Sequence, residues 1–176
     1  MPVKILFAVV IVVLGLAAFI ATRPAEFRVT RTATFAAPAP AVFAQVNELR
    51  KWEAWSPWAK KDPQMKQAYE GPAAGVGAVT SWIGNKDVGE GRMSIVESRP
   101  AELIRFKLEF FKPFAATHSA EFTFRVQGGR TAVSWSMSGQ NNFIAKALHL
   151  VFDMDKMVGG DFEAGLASLK TIVDKK

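Results

Sequence analysis

The spacing of apolar and polar positions changes repeatedly along the chain. Ile5 to Ala21, "ILFAVVIVVLGLAAFIA", is 17 residues without a charge or strong polar group. From residue 26 a period of two sets in. In "EFRVTRTATF" (26–35), Phe27, Val29, Arg31, Ala33 and Phe35 fall on one face and Arg28, Thr30, Thr32 and Thr34 on the other. This predicts a strand whose apolar face is interrupted at Arg31. "APAPAVFAQVNEL" predicts a short helix opened by Pro40. A second short helix over Arg50 to Trp55 is expected to stop before Pro57.

Six further segments then alternate between turn signals. "QAYEG" is weak and "GAVTSWIG" stronger; "GRMSIVESRP" and "ELIRFKLEFF" are split at Pro100; "HSAEFTFRVQ" and "TAVSWSMSG" flank the tight turn at Gly128-Gly129. Consecutive strands joined by short turns predict an antiparallel sheet. Its inner face carries Ile104, Phe106, Leu108 and Phe110, then His118, Ala120, Phe122, Phe124 and Val126, then Val133, Trp135 and Met137. The period finally becomes three to four. Asn142 to Val173 reads as one long helix with an apolar stripe from Ile144, Leu148, Val151 and Phe152 through Phe162 and Leu166 to Val173, and with Gly159-Gly160 in its middle. The fold class is therefore α+β: an antiparallel sheet with a long C-terminal helix, preceded by one apolar helix.

At about 1.5 Å per residue, Ile5–Ala21 covers roughly 26 Å, near the lower limit for a bilayer core. It is longer than the usual apolar region of a cleaved signal peptide, and Phe19 stands where a small residue is needed. We therefore expect residues 1–24 to be an uncleaved single-pass anchor and 25–176 the domain it carries. Lys4 lies before the span; Arg23, Arg28 and Arg31 lie after it, which leans the domain towards the cytoplasm.

Composition removes several chemistries. There is no cysteine, so thiolate catalysis and Cys-based metal sites are excluded. Two histidines, His118 and His149, are too few for a multi-histidine metal centre. Asp153 and Asp155 are two apart on a helix and diverge, so they cannot share one ion. "GPAAGVGA" lacks the strand-before, helix-after context of a phosphate loop. His149 and Asp153 at helical spacing read as a solvated pair. No cofactor is implied. Lys4 and Arg23 aside, 20 basic residues stand against 16 acidic ones, too mild an excess to argue for nucleic acid.

"WEAWSPWAKKDP" (52–63) places Trp52, Trp55 and Trp58 in seven positions. Trp52 and Trp55, three apart, share a helix face. They plug one end of the sheet as core or line the mouth of a cavity; stacking on nucleic acid would need outward rings along a basic groove.

"APAPAVFAQVNELRKWEAWSPWAKKDP", "YEGPAAGVGAVTSWIGN", "VGEGRMSIVES" and "MDKMVGGDFEAGLASLK" resemble the polyketide cyclase/dehydrase branch of the SRPBCC (START-like) superfamily. The resemblance spans about residues 26 to 174. It implies a helix-grip fold with an apolar cavity between sheet and last helix, and brings no catalytic motif. Trp52, Trp55, Tyr69, Trp82, Phe106, Phe110, His118, Phe122, Trp135 and Met137 on or beside the sheet, with Leu148 and Phe152 on the helix, are the expected lining. The expected partner is a small hydrophobic or lipid-like molecule. The alternatives are a cyclase-like enzyme, for which His118, Glu97 or Tyr69 offers the acid/base group, and a ligand-free protein-interaction module. Oligomeric state is open.

Overall fold

The computed structural model describes residues 2–148, 150, 151 and 153–175. An apolar helix, α1 (Pro2–Thr22), runs into β1 (Glu26–Phe35). Then come α2 (Ala39–Asn47), a 3-10 turn (Leu49–Ala54), and α3 (Pro57–Lys61). Six strands follow: β2 (Lys66–Glu70), β3 (Val79–Ile83), β4 (Glu90–Arg99), β5 (Leu103–Lys112), β6 (Ala116–Gln127) and β7 (Arg130–Gln140). The chain closes with α4 (Phe143–Leu148) and α5 (Met154–Val173). All strand pairs are antiparallel, in the order β1-β7-β6-β5-β4-β3-β2. The chain returns β7 beside β1, and the inner face so formed curls round α5 in the helix-grip arrangement.

The alternation sets the core. Val29, Phe35, Ile95, Ile104, Phe106, Phe122, Phe124, Val133 and Trp135 point inward and are buried. They meet Phe162, Leu166, Leu169 and Val173 on α5 and Val42 and Val46 on α2. Arg31, the apparent fault in β1, lies on the inward phase because α5 supplies its partners. Its guanidinium donates to Asp155 at 2.9 Å and to Glu163 at 2.6 Å, and to the Asp155 carbonyl oxygen at 3.0 Å. Those charge-assisted bonds raise the Arg31 pKa above its ordinary value and hold Asp155 below the usual carboxylate range.

Two boundaries differ from the sequence expectation. The expected short helix does stop before Pro57, as the 3-10 turn Leu49–Ala54, but Pro57 itself opens a further helix, because proline suits the first helical position. The long helix over 142–173 is broken in two. Asn142 accepts from the Ala145 amide at 2.9 Å and starts α4; Asp153 accepts from the Lys156 amide at 3.1 Å and starts α5 anew. An N-cap side chain satisfies amides that a continuing helix would have bonded itself, so Asp153 marks a start. Leu148 consequently sits on α4, away from the stripe that grips the sheet, and Ile144 and Val151 are exposed. Phe152 and His149 lie outside the described residues.

The glycine pair now falls in the first turns of α5, and its members differ. A methyl group on Gly159 would lie 2.0 Å from the Arg31 guanidinium, whereas one on Gly160 would meet open space. Gly160→Ala is therefore expected to stabilise the domain by about 1 kcal/mol through helix propensity. Gly159→Ala gains the same propensity but displaces Arg31 from its carboxylates, and is expected to fall below the wild type. Urea denaturation of the two single variants checks this; equal stabilisation by both would show that the close approach is dispensable.

Candidate functional site

The inner face divides along the strands. Its half far from α1 is solid. Trp135 stacks on Phe162 at 4.1 Å and on Phe122 at 4.7 Å, and Trp52 lies 4.4 Å from Trp55. Trp52 also meets Phe106 edge-on at 5.5 Å. The indole N–H groups of Trp52 and Trp55 donate to the carbonyl oxygens of Val46 at 2.9 Å and Gln45 at 3.3 Å, near the end of α2. A tryptophan can be buried at little cost when its one donor is satisfied. The tryptophan motif is thus a plug: two rings fill the space under α2, and Trp58 covers the edge of Trp135 at 5.7 Å. Of the expected lining residues, Trp52, Trp55, Phe106, Phe122 and Trp135 belong to this packed half.

The half nearest α1 is more open, because α5 begins only level with Arg31 in mid-β1. Here Phe27, Trp82, Leu108, Phe110 and His118 are half-buried, with Met137 buried beneath them. Trp82 and Phe110 pack edge-on at 6.0 Å. The Trp82 ring lies flat over Gly91, where a Cβ would come within 2.4 Å of it. The imidazole of His118 stands between Phe27 at 5.1 Å and Phe110 at 5.6 Å, above Gly139. Its Nδ1 is buried and has no hydrogen-bond partner. Phe27 and Leu108 were legible as inward positions but were not singled out as lining.

Tyr69 stands apart, on β2 at the sheet edge. Its hydroxyl donates to Glu53 at 2.7 Å and also contacts Gln67, while Arg50 stacks on its ring at 4.3 Å. Burial and the Glu53 carboxylate raise its pKa. Glu97 is not available to the inner face. A bulge between Ile95 and Glu97 adds Val96 to β4 and turns Glu97 outward, onto Arg105 and Arg99. An open cleft of about 930 Å³ is walled by Glu26, Arg28, Lys107, Ser119 and Ser138 of the polar face and reaches Phe27, Phe106 and His118 of the inner face. Among the described residues no group of three His, Asp or Glu side chains is placed to hold a metal ion.

Burial pushes His118 below its ordinary value near 6.5, so the folded state prefers the neutral imidazole. Between that lowered value and 6.5 the unfolded chain binds the extra proton. The associated stability is complete above about pH 6.5 and is lost as the pH falls through the folded-state value. His118→Leu is expected to flatten the stability profile in this window. Acid loss from Asp155, whose pKa is lowered by Arg31, falls below 3.8 and stays separate. Urea midpoints measured from pH 8 to 5 check this; an unchanged slope in the variant would assign the acid loss elsewhere.

An inner face of this kind, gripped by a C-terminal helix and half open at one end, defines the class. The chain belongs to the polyketide cyclase/dehydrase and lipid transport family, whose pattern matches residues 26–174. No curated protein matches it by sequence. Several solved structures share the fold. Protein MLL2253 from Mesorhizobium loti is 12% identical, with a TM-score of 0.62, covering 85% of this chain and 98% of that one. The Aha1 dimer from Colwellia psychrerythraea is 13% identical, with a TM-score of 0.60 and coverage of 84% and 96%. The di-domain ARO/CYC BexL from the BE-7585A biosynthetic pathway is 17% identical, with a TM-score of 0.61; it covers 88% of this chain, which spans 52% of BexL. At these identities the likeness is one of fold.

Proposed function

We propose that the protein is a membrane-anchored binding protein for a small hydrophobic or lipid-like molecule, with residues 1–24 as anchor and 25–176 as binding domain. The observation that carries this reading is the half-open apolar surface of Trp82, Phe110, Phe27 and Leu108 around the half-buried imidazole of His118, whose Nδ1 is turned down onto Gly139. A concave apolar surface with one polar group is what a small apolar ligand with one polar end requires. The anchor rests on α1, whose Val3–Thr22 stretch is long and apolar enough to cross a membrane, with mean hydropathy 3.0.

Magnitudes set the ligand's size. Burying about 300 Å² of apolar surface gains roughly 7–8 kcal/mol. Association costs at least about 4 kcal/mol, so a small fragment binds only at millimolar level. An acyl chain, an isoprenoid or a polycyclic ring is large enough for micromolar binding. The test is titration of the full chain in nanodiscs with fatty acids, isoprenoids and aromatic polyketides, following tryptophan fluorescence. Phe110→Ala is expected to weaken the best ligand at least tenfold. No binding tighter than about 100 μM would favour the interaction module instead.

A cyclase-like enzyme is the second reading, favoured by His118. A neutral imidazole has one ring nitrogen that can accept a proton and one that can donate it. His118→Gln separates the two: a binding protein keeps ligand affinity within a few-fold and has no turnover to lose.

A further inference from the structure

We propose that the end of the domain where α1 meets β1 rests in the lipid interface, with α4, the turn after it and the tip of the β5–β6 hairpin dipping among the headgroups. The strand pairing defines that end. Glu26 pairs with Gln140, Gly139 with both Phe27 and His118, Phe110 with Ala116, Glu90 with Lys112 and Ile83 with Glu90, so the start of β1 and the β5–β6 hairpin lie at one end of the sheet. Large exposed apolar side chains gather there. Val151 is 78% exposed, Phe114 65%, Ile144 61%, Phe111 54% and Phe143 50%. Runs of exposed apolar residues on one surface mark an interaction site.

The occupant follows from the chain itself. Only three residues separate Thr22 from Glu26, a reach of about 10 Å. Helix α4 packs on the last turn of α1, and Lys146 Nζ donates to the Ala21 carbonyl oxygen at 3.2 Å. Ile20 is the only buried side chain described in α1. The apolar surface of α4 and its following turn thus continues the apolar surface of α1, with Arg23 and Lys146 at the seam where headgroups would lie. A bilayer fits both surfaces together, and a second protein would have to share the site with it. The half-open part of the inner face lies at this same end, so a lipid-like ligand would enter from the bilayer without crossing water. The proposal rests on α1 being the anchor.

The absence of cysteine makes the test direct. Single cysteines at Ile144, Val151 and Phe114, and at Val126 and Val76 at the opposite end, are labelled with an environment-sensitive fluorophore in the full chain. All five positions are exposed, so the labels leave the core intact. The chain is reconstituted into vesicles of 3:1 phosphatidylcholine and phosphatidylglycerol, and flotation is scored first. Quenching by bilayer-embedded nitroxide is then compared with quenching by aqueous iodide. Labels at 144, 151 and 114 are expected to be quenched by nitroxide several-fold more than those at 126 and 76, and to be shielded from iodide. A chain that floats while all five labels respond alike overturns the interface and leaves the anchor standing. Shielding from iodide without nitroxide quenching means that protein covers the surface, and overturns it too. A chain that does not float overturns anchor and interface together.

Discussion

Replacing Trp135 by alanine is expected to lower the unfolding free energy by about 3–5 kcal/mol, the usual range for deleting a buried aromatic side chain. Its ring is 2% exposed and lies between Phe162 at 4.1 Å and Phe122 at 4.7 Å, with Trp52, Trp55 and Trp58 meeting its edges between 5.7 and 5.8 Å. Five aromatic neighbours on α5, β6, α3 and the 3-10 turn and its end cannot all collapse into the space it leaves. Domains of this size are stable by about 5–15 kcal/mol, and each kcal/mol moves Tm by about 2–4 °C. A fall of roughly 6–20 °C should follow. Gly165→Ala approaches the same ring from the other side: the added methyl would lie 2.8 Å from Trp135 Cζ3 and 3.1 Å from Pro57 Cδ. Neither neighbour is a flexible chain end, so overpacking should cost about 1–3 kcal/mol. Trp82→Ala, at the open half, is expected to cost less than either. Calorimetry on the three variants decides. If Trp135→Ala leaves Tm within a few degrees of the wild type and abolishes ligand binding, the ring belongs to a ligand site.

The fold was legible because strand alternation survives almost any sequence noise. Every strand matched a segment with an inward apolar phase, and the inward direction of His118 followed from Ala120 and Phe122 beside it. Three local events defeated the same counting. The bulge at Val96 shifts the phase of β4 by one, so Glu97, which parity with Met93 and Ile95 sends inward, faces out. Arg31 looked like a fault because its partners, Asp155 and Glu163, are more than 120 residues away in sequence. The break before α5 was missed for the opposite reason. Residues 144–151 keep helical apolar spacing, and spacing says nothing about what covers the stripe. The cue was Asp153 three residues before Lys156, a capping signal embedded in an apolar run. The tryptophan motif was ambiguous by nature: core and cavity lining require the same residue type, and only the ring contacts and the acceptors at Val46 and Gln45 tell them apart.

Placing arginines at Val12 and Val13 is expected to release the full chain from membranes, the largest single effect foreseen for this molecule. The two positions lie at the middle of α1, whose 21 residues cover about 31 Å, close to the thickness of a bilayer core. Each arginine at the centre of a span costs about 2.5–3.5 kcal/mol on insertion scales. Two cost about 5–7 kcal/mol, or roughly four to five powers of ten in partitioning. The side chains sit too far from either end to reach the headgroups. Val3→Arg is the control: at the helix end its stem can follow the apolar surface while the charge stays in water, so retention should hardly change. Carbonate-washed membranes are then probed for the wild type and both variants. Two rival accounts of α1 make different forecasts. If α1 is a signal sequence, the wild type itself appears in the soluble fraction and its first residue lies near Thr22. If α1 packs into a soluble fold, the double variant unfolds the domain; yet most of α1 is exposed, and outside its last turn it gives a core nothing to lose. Retention of the wild type and of Val3→Arg, with loss of the double variant still folded, is the pattern that only a spanning helix produces.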